Sequence, residues 1–298
     1  MLQPRSAIAG ILWMVACGLN FVALAAIIKH VGADIPAPQA AFLRYLTGLV
    51  FILPFLGQWR RARISNREHL LLALRGLVHS IAVLLWFFTV TRIPIAEVTS
   101  LGYLTPVFVT LGAALFLGDR LNSVKSLALL GALCGALVIL RPGFREIDVG
   151  HFAILASTCF FSTSFLLAKR AASRFSAAVI VTSLSIVSTI CMAPAAFLVW
   201  IPPTPEQVLW LFFAAFFATA GNFTMTQSFR NAPVSVTQPV IYLQLVWATL
   251  LGAIAFGEGF DMMVILGGAI VVASVSAVSW HSAFRKQRGR SGSGVSLK

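Results

Sequence analysis

Apolar runs of about twenty residues, separated by short polar connections, recur along nearly the whole chain. A helix needs about 20 such residues to cross the hydrocarbon core of a bilayer. Ten runs reach or approach that length: Ala7 to Ile28, Ala37 to Gly57, Leu70 to Val90, Ile95 to Leu117, Val124 to Leu140, Val149 to Ala168, Ala177 to Trp200, Glu206 to Phe229, Val234 to Phe256 and Met262 to His281. The predicted fold class is all-α integral membrane, with ten transmembrane helices. The first run follows Arg5 and exceeds the apolar region of a usual signal peptide, so it reads as a spanning helix.

The runs repeat. Pro94 and Pro233, Tyr103 and Tyr242, and Gly118 and Gly257 are each 139 positions apart; Lys29 and Lys169, Pro54 and Pro194, and Gly10 and Gly150 are each 140 apart. Gly131 aligns with Gly267 at 136, which asks for a short gap. The sequence therefore predicts two copies of one unit: residues 1–140 as a first five-helix repeat, 141–281 as a second, and 282–298 as a basic, disordered cytoplasmic tail. Five is odd, so the second repeat is expected to be inverted relative to the first. Two inverted halves can exchange conformations around a midplane site, which is the basis of alternating access.

Composition supports the membrane reading: 59% of the 298 residues are hydrophobic and 10% charged, against about a quarter charged in a soluble domain. A net charge of +13 raises nucleic acid as a partner, but the basic residues sit in short loops and form no continuous face. Their distribution sets topology instead. Sixteen Lys and Arg fall on the side shared by both termini, against Lys29, Arg92, Arg141 and Arg145 on the other. Both termini are thus expected in the cytoplasm. Cys17, Cys134, Cys159 and Cys191 lie within apolar runs without metal-ligand or disulfide spacing, so neither a metal nor a cofactor is expected.

Polar groups inside a span are costly and usually face a partner or a wet cavity. Arg44, about two turns into the second span, can bind a substrate carboxylate, or else snorkel or pair with Asp34 or Glu97. Arg75 lies nearer the cytoplasmic end of the third span, and His79 follows it on the same helical face, as a structural or proton-linked group. The third, fourth, eighth and ninth spans carry most remaining candidates: Trp86, Thr99, Ser100, Tyr103 and Thr105, then Asn222, Thr224, Thr226, Gln227, Gln238, Tyr242 and Gln244. Tyr103 and Tyr242 occupy matching positions, so a pseudo-twofold would bring them around one centre. Aromatic and amide groups together suit an organic molecule with an apolar body and a few hydrogen-bonding groups. Pro106 and Pro239 are expected to kink the fourth and ninth spans. Gly131 and Gly135, with Ala269, Ala273 and Ala277, form small-residue rows that pack helices within or between protomers.

These features resemble a known family. Phe42-Leu43-Arg44-Tyr45, Arg92-Ile93-Pro94-Ile95-Ala96-Glu97, Leu104-Thr105-Pro106 and Leu117-Gly118-Asp119-Arg120-Leu121 are similar to the EamA-type, ten-helix bacterial members of the drug/metabolite transporter superfamily. That family commonly has Glu where this chain has Asp119, and the second copy keeps Gly257-Glu258. The resemblance implies a bacterial inner-membrane carrier of amino acids, metabolites, drugs or cofactors, with a central cavity lined mainly by the third, fourth, eighth and ninth helices. The third-to-fourth-span stretch also resembles importers of riboflavin or S-adenosylmethionine.

The expected function is a secondary carrier of a small neutral or zwitterionic metabolite, amino acids or related compounds above all, in the export direction. Import of a cofactor-like metabolite is the alternative. Tyr103, Tyr242, Trp86, Asn222, Gln244 and Arg44 are the expected substrate-binding residues. The expected partners are that small molecule and the lipid bilayer, with the protein acting as a monomer or homodimer. An enzyme would need an acid cluster, a metal site or an activated nucleophile, and the scattered Asp and Glu supply none.

Overall fold

The computed structural model describes residues 7–32, 34–105, 107–109, 111–112, 123–141, 146–171, 174–231, 240, 243–274 and 276–277. Among the described residues the regular structure is entirely helical. Six segments are long and apolar enough to cross a membrane: Ile8–Val31, Ala37–Arg61, Asn66–Val90, Val149–Ala168, Ala178–Leu198 and Pro205–Met225. Four shorter apolar helices occupy the remaining places in the order, namely Ile95–Val109, Leu129–Leu140, Gln244–Phe256 and Met262–Ser274. The labels first to tenth span are used below for these ten helices by chain order alone, six of them being long enough to cross a membrane.

Local chemistry explains where several of them begin and bend. Pro36 and Pro94 immediately precede the second and fourth spans, where a fixed φ fits and a missing backbone donor costs nothing. Ser65 and Glu68 close a capping box at the start of the third, with Glu68 Oε2 accepting from the Ser65 backbone N–H at 2.9 Å and its hydroxyl at 2.7 Å. The second span runs as α-helix over Ala37–Gly48, tightens to a 3-10 stretch over Leu49–Phe55, then resumes over Leu56–Arg61. Pro54 lies in that tightened stretch, where the absent N–H breaks the regular ladder. Its repeat counterpart Pro194 sits within Ala177–Leu198, which stays helical past it. The expected kink sites Pro106 and Pro239 lie outside the described residues.

The first span packs along the eighth, the third along the sixth and seventh, and the second along the seventh. Ninth and fourth meet, and the ninth also touches the first. Hydroxyls cross these contacts: Ser228 donates to the Gly10 carbonyl at 2.7 Å, Thr89 to the Gly150 carbonyl at 3.2 Å, and Ser157 to the Ala82 carbonyl at 2.7 Å. In hydrocarbon such donors have no water to fall back on, which fixes helix register.

The small-residue rows pack within the chain. A Cβ on Gly135 would stand 2.7 Å from the Gly267 carbonyl oxygen, and one on Gly267 would stand 2.6 Å from the Gly135 carbonyl oxygen. The fifth and tenth spans therefore touch backbone to backbone at their glycines. Leu12, Leu19, Leu127, Leu137, Ile190, Phe197 and Ile254 are exposed on the outside, as a lipid-facing surface requires.

Candidate functional site

Two polar constellations lie within the bundle. The first centres on the second and third spans. Arg44 comes seven residues after Ala37, about 10 Å along the helix, and its guanidinium carbon sits 4.3 Å over the Tyr45 ring. The Arg44 Nε is buried without a hydrogen-bond partner, and Arg44 makes no ion pair with any described carboxylate. Of its two expected partners, Asp34 is exposed in the loop, and Glu97 binds His151 of the sixth span at 2.7 Å.

Tyr45 extends this constellation inward. Its hydroxyl hydrogen-bonds the His79 Nε2 at 2.8 Å, and the His79 Nδ1 lies 3.4 Å from the Ser164 hydroxyl of the sixth span. Phe161 packs edge-on against the imidazole. Arg75, one turn before His79, is buried; it donates to the Ile180 carbonyl of the seventh span at 3.1 Å, and its Nε has no partner. Arg44 stacks on Tyr45 and Arg75 lies one helical turn from His79, so the Tyr45–His79 hydrogen bond joins the two arginine-bearing helices. The result is a cationic, hydrogen-bonding patch inside the spans.

The second constellation ties the first, fourth and ninth spans at one end of the bundle. Gly257 adopts φ 64° after the ninth span, a left-handed turn that glycine enters without steric cost. That turn directs the Glu258 N–H to the Gly252 carbonyl at 3.0 Å, and the Glu258 carboxylate lies against Gly252, which has no side chain to displace it. The carboxylate pairs with Lys29 and accepts the Ile95 N–H at 3.0 Å, so it caps the fourth span at its positive end. Lys29 also donates to the Ile93 carbonyl at 3.1 Å. Nearby in sequence, Arg141 takes φ 44° after the fifth span and pairs with Asp261 ahead of the tenth.

Aromatic groups pack beside the second constellation. Trp86 of the third span and Trp247 of the ninth pack on one apolar cluster with Val22 and Ala25 of the first span and Ile95 of the fourth. The Trp247 indole N–H is buried and unpartnered. Tyr103 is buried in the main core at the end of the Ile95–Gly102 helix. Gln244 opens the Gln244–Phe256 helix and is half-buried. Asn222 is exposed, with its amide donating to the Ala218 carbonyl one turn back at 2.8 Å. Tyr242 and Gln238 lie outside the described residues.

Of the expected binding residues, Arg44 lies in the first constellation and Trp86 in the aromatic cluster; Tyr45, Ser164 and Trp247, which lie there too, were not among those expected. Tyr45 was legible as the neighbour of Arg44 in the Phe42-Leu43-Arg44-Tyr45 run. Nothing in the chain pointed Ser164 toward His79. Among the described residues no group of three or more His, Cys, Asp or Glu could hold a metal ion.

Both halves of the chain match one family description, over residues 8–141 and again over 148–280. The chain belongs to the EamA-like transporter family. It is a multi-pass membrane protein of a family whose members are transporters. Across 275 residues it is 26% identical to a pseudopaline exporter of Pseudomonas aeruginosa, covering 91% of this chain and 95% of that one. A riboflavin transporter of Vibrio cholerae is 25% identical over 94% of this chain and 96% of its own length. An S-adenosylmethionine uptake transporter of Rickettsia bellii is 20% identical over 88% and 90%. A crystal structure with TM-score 0.61 and 18% identity covers 92% of this chain and 97% of its own, which establishes likeness of fold alone.

Proposed function

We propose that this transporter is a secondary carrier of small carboxylate-bearing metabolites, amino acids or related compounds, working by alternating access in a bacterial inner membrane with both termini cytoplasmic. The observation that carries the substrate class is Arg44. Its guanidinium has no counter-ion among the described residues, although a cation near the bilayer centre costs about 2 to 3 kcal/mol. A carboxylate arriving with the substrate supplies the missing charge, and guanidinium geometry suits it.

Two matching hydrogen bonds support related halves. Thr89 and Ser228 are 139 positions apart, and Gly10 and Gly150 are 140 apart. Each hydroxyl donates to the glycine at the start of the opposite half's leading span, Thr89 to Gly150 and Ser228 to Gly10. Exchanging the halves maps one bond onto the other. The same exchange maps the contact of the first and eighth spans onto that of the sixth and third. Halves related in this way can trade conformations to open a shared site alternately to each side.

Export accords with the pseudopaline exporter among the relatives, and import of a cofactor-like metabolite with the riboflavin and S-adenosylmethionine transporters. Trp86 and Trp247 favour the second reading to the extent that a flat ring would stack on them. Binding measurements on purified protein separate the two. Quenching of tryptophan fluorescence by riboflavin that survives Arg44→Gln and falls in Trp247→Phe would support the cofactor reading. Binding of an amino acid lost in Arg44→Gln supports the carboxylate reading, and its retention would refute it.

A further inference from the structure

The sequence holds nine Asp and Glu, and eight lie among the described residues. Six are engaged away from the Arg44 patch: Glu97 with His151, Glu258 with Lys29, Asp261 with Arg141, Glu68 with Arg174, Asp148 with the Gly150 N–H and Glu206 with the Trp210 indole. Asp34 and Glu146 are exposed outside the helices. Asp119 lies outside the described residues, in the connection after the fourth span. Two guanidiniums, Arg44 and Arg75, are therefore left inside the bundle around Tyr45 and His79 with no described carboxylate between them.

This imbalance discriminates between kinds of carboxylate. A neutral amino acid brings one carboxylate and one ammonium. The carboxylate suits Arg44, but the ammonium would sit near two guanidiniums with no described carboxylate paired to them, and burial strengthens that repulsion. A compound with a second acidic group replaces the repulsion with a second attraction. Arg75 is 8% exposed, its Nε is unpartnered, and the Tyr45–His79 hydrogen bond joins the helix that carries it to the helix that carries Arg44.

We propose that the Arg44–Arg75 patch, bridged by Tyr45 and His79, selects substrates of net negative charge: small dicarboxylates or acidic amino acids, in preference to neutral zwitterions. This rests on the carrier reading above and on Arg44 as a carboxylate contact. Arg75 is then a specificity-determining residue, since it discriminates the second acidic group.

The test is counterflow in liposomes containing the purified protein, with labelled succinate, glutamate, alanine and lysine as probes. Arg75→Gln and Arg75→Lys are compared with the parent after each is checked for a monodisperse elution profile in detergent. The expected result is exchange of succinate and glutamate at least tenfold faster than alanine, with that ratio collapsing in Arg75→Gln and largely kept in Arg75→Lys. A purely structural role for Arg75 would lower all rates together and leave the ratio unchanged, which would overturn the assignment of Arg75. Exchange of alanine in preference to both acids would overturn the charge selection while leaving the carrier reading standing. Exchange of none of the four by monodisperse protein would overturn the charge selection and the amino-acid reading together.

Discussion

Glu258→Gln should loosen the end of the bundle at which the first span finishes and the fourth begins. The Glu258 carboxylate pairs with Lys29 and accepts the Ile95 N–H at 3.0 Å, and the two charged side chains retain 18% and 12% exposure for Lys29 and Glu258. Removing one partner of a fully buried pair costs about 3–5 kcal/mol. Residual exposure, and an amide oxygen that still accepts from Ile95, reduce this to about 2 kcal/mol. That corresponds to about a 30-fold shift in the equilibrium between the clasped and parted arrangements. The assay is the maleimide labelling rate of a single cysteine at Ala96, a buried position one residue past Ile95, in a background lacking the four native cysteines. Labelling about 30-fold faster in Glu258→Gln is expected. Combining Lys29→Glu with Glu258→Lys should recover part of the protection, since the ion pair re-forms but the cap on Ile95 does not. An unchanged labelling rate in Glu258→Gln would refute the clasp as an energetic feature.

Three further outcomes follow from the packing. Gly252→Ala should mimic Glu258→Gln in the same labelling assay, because its methyl group would meet the carboxylate, whereas Gly259→Ala, with nothing within 4 Å of the added carbon, should be silent. Gly135→Leu should abolish monodisperse protein in detergent, since the fifth and tenth spans meet backbone to backbone there, while Gly57→Ala, also facing open space, should leave elution unchanged. Glu97→Gln should lower the thermal unfolding midpoint, because the buried His151–Glu97 hydrogen bond at 2.7 Å loses its carboxylate, at a cost of about 1.5 kcal/mol; a midpoint equal to that of the parent would show that the contact contributes nothing.

The spans were legible because their signal is carried by each segment alone. A run such as Leu70 to Val90 must be mostly apolar whatever it packs against, so its position follows from hydrocarbon thickness. The Gly131 and Gly135 row was equally readable as a close-packing surface, and the structure supplies its partner, the tenth span. Partner choice was not readable. Pairing with Asp34 or Glu97 was one of the readings open for Arg44 beside a substrate carboxylate or snorkelling, yet Glu97 is taken by His151 across 54 positions of sequence, and which helices touch there is a property of tertiary packing. Lys29 and Glu258 were each visible as a repeated charge at a span end, but their pairing across 229 positions depends on the Gly257 turn and on the fourth span presenting its first N–H groups to the same point. Pro54 alters its span where Pro194 does not, although the repeat makes them equivalent.

Counterflow by purified protein in liposomes tests the carrier account most directly. Vesicles loaded with unlabelled substrate should draw in labelled amino acid transiently above its equilibrium level, with saturation, and Arg44→Gln should abolish that overshoot. Flux that neither saturates nor depends on substrate in the opposite compartment would contradict the account, because it would describe a pore and not two halves exchanging around one site.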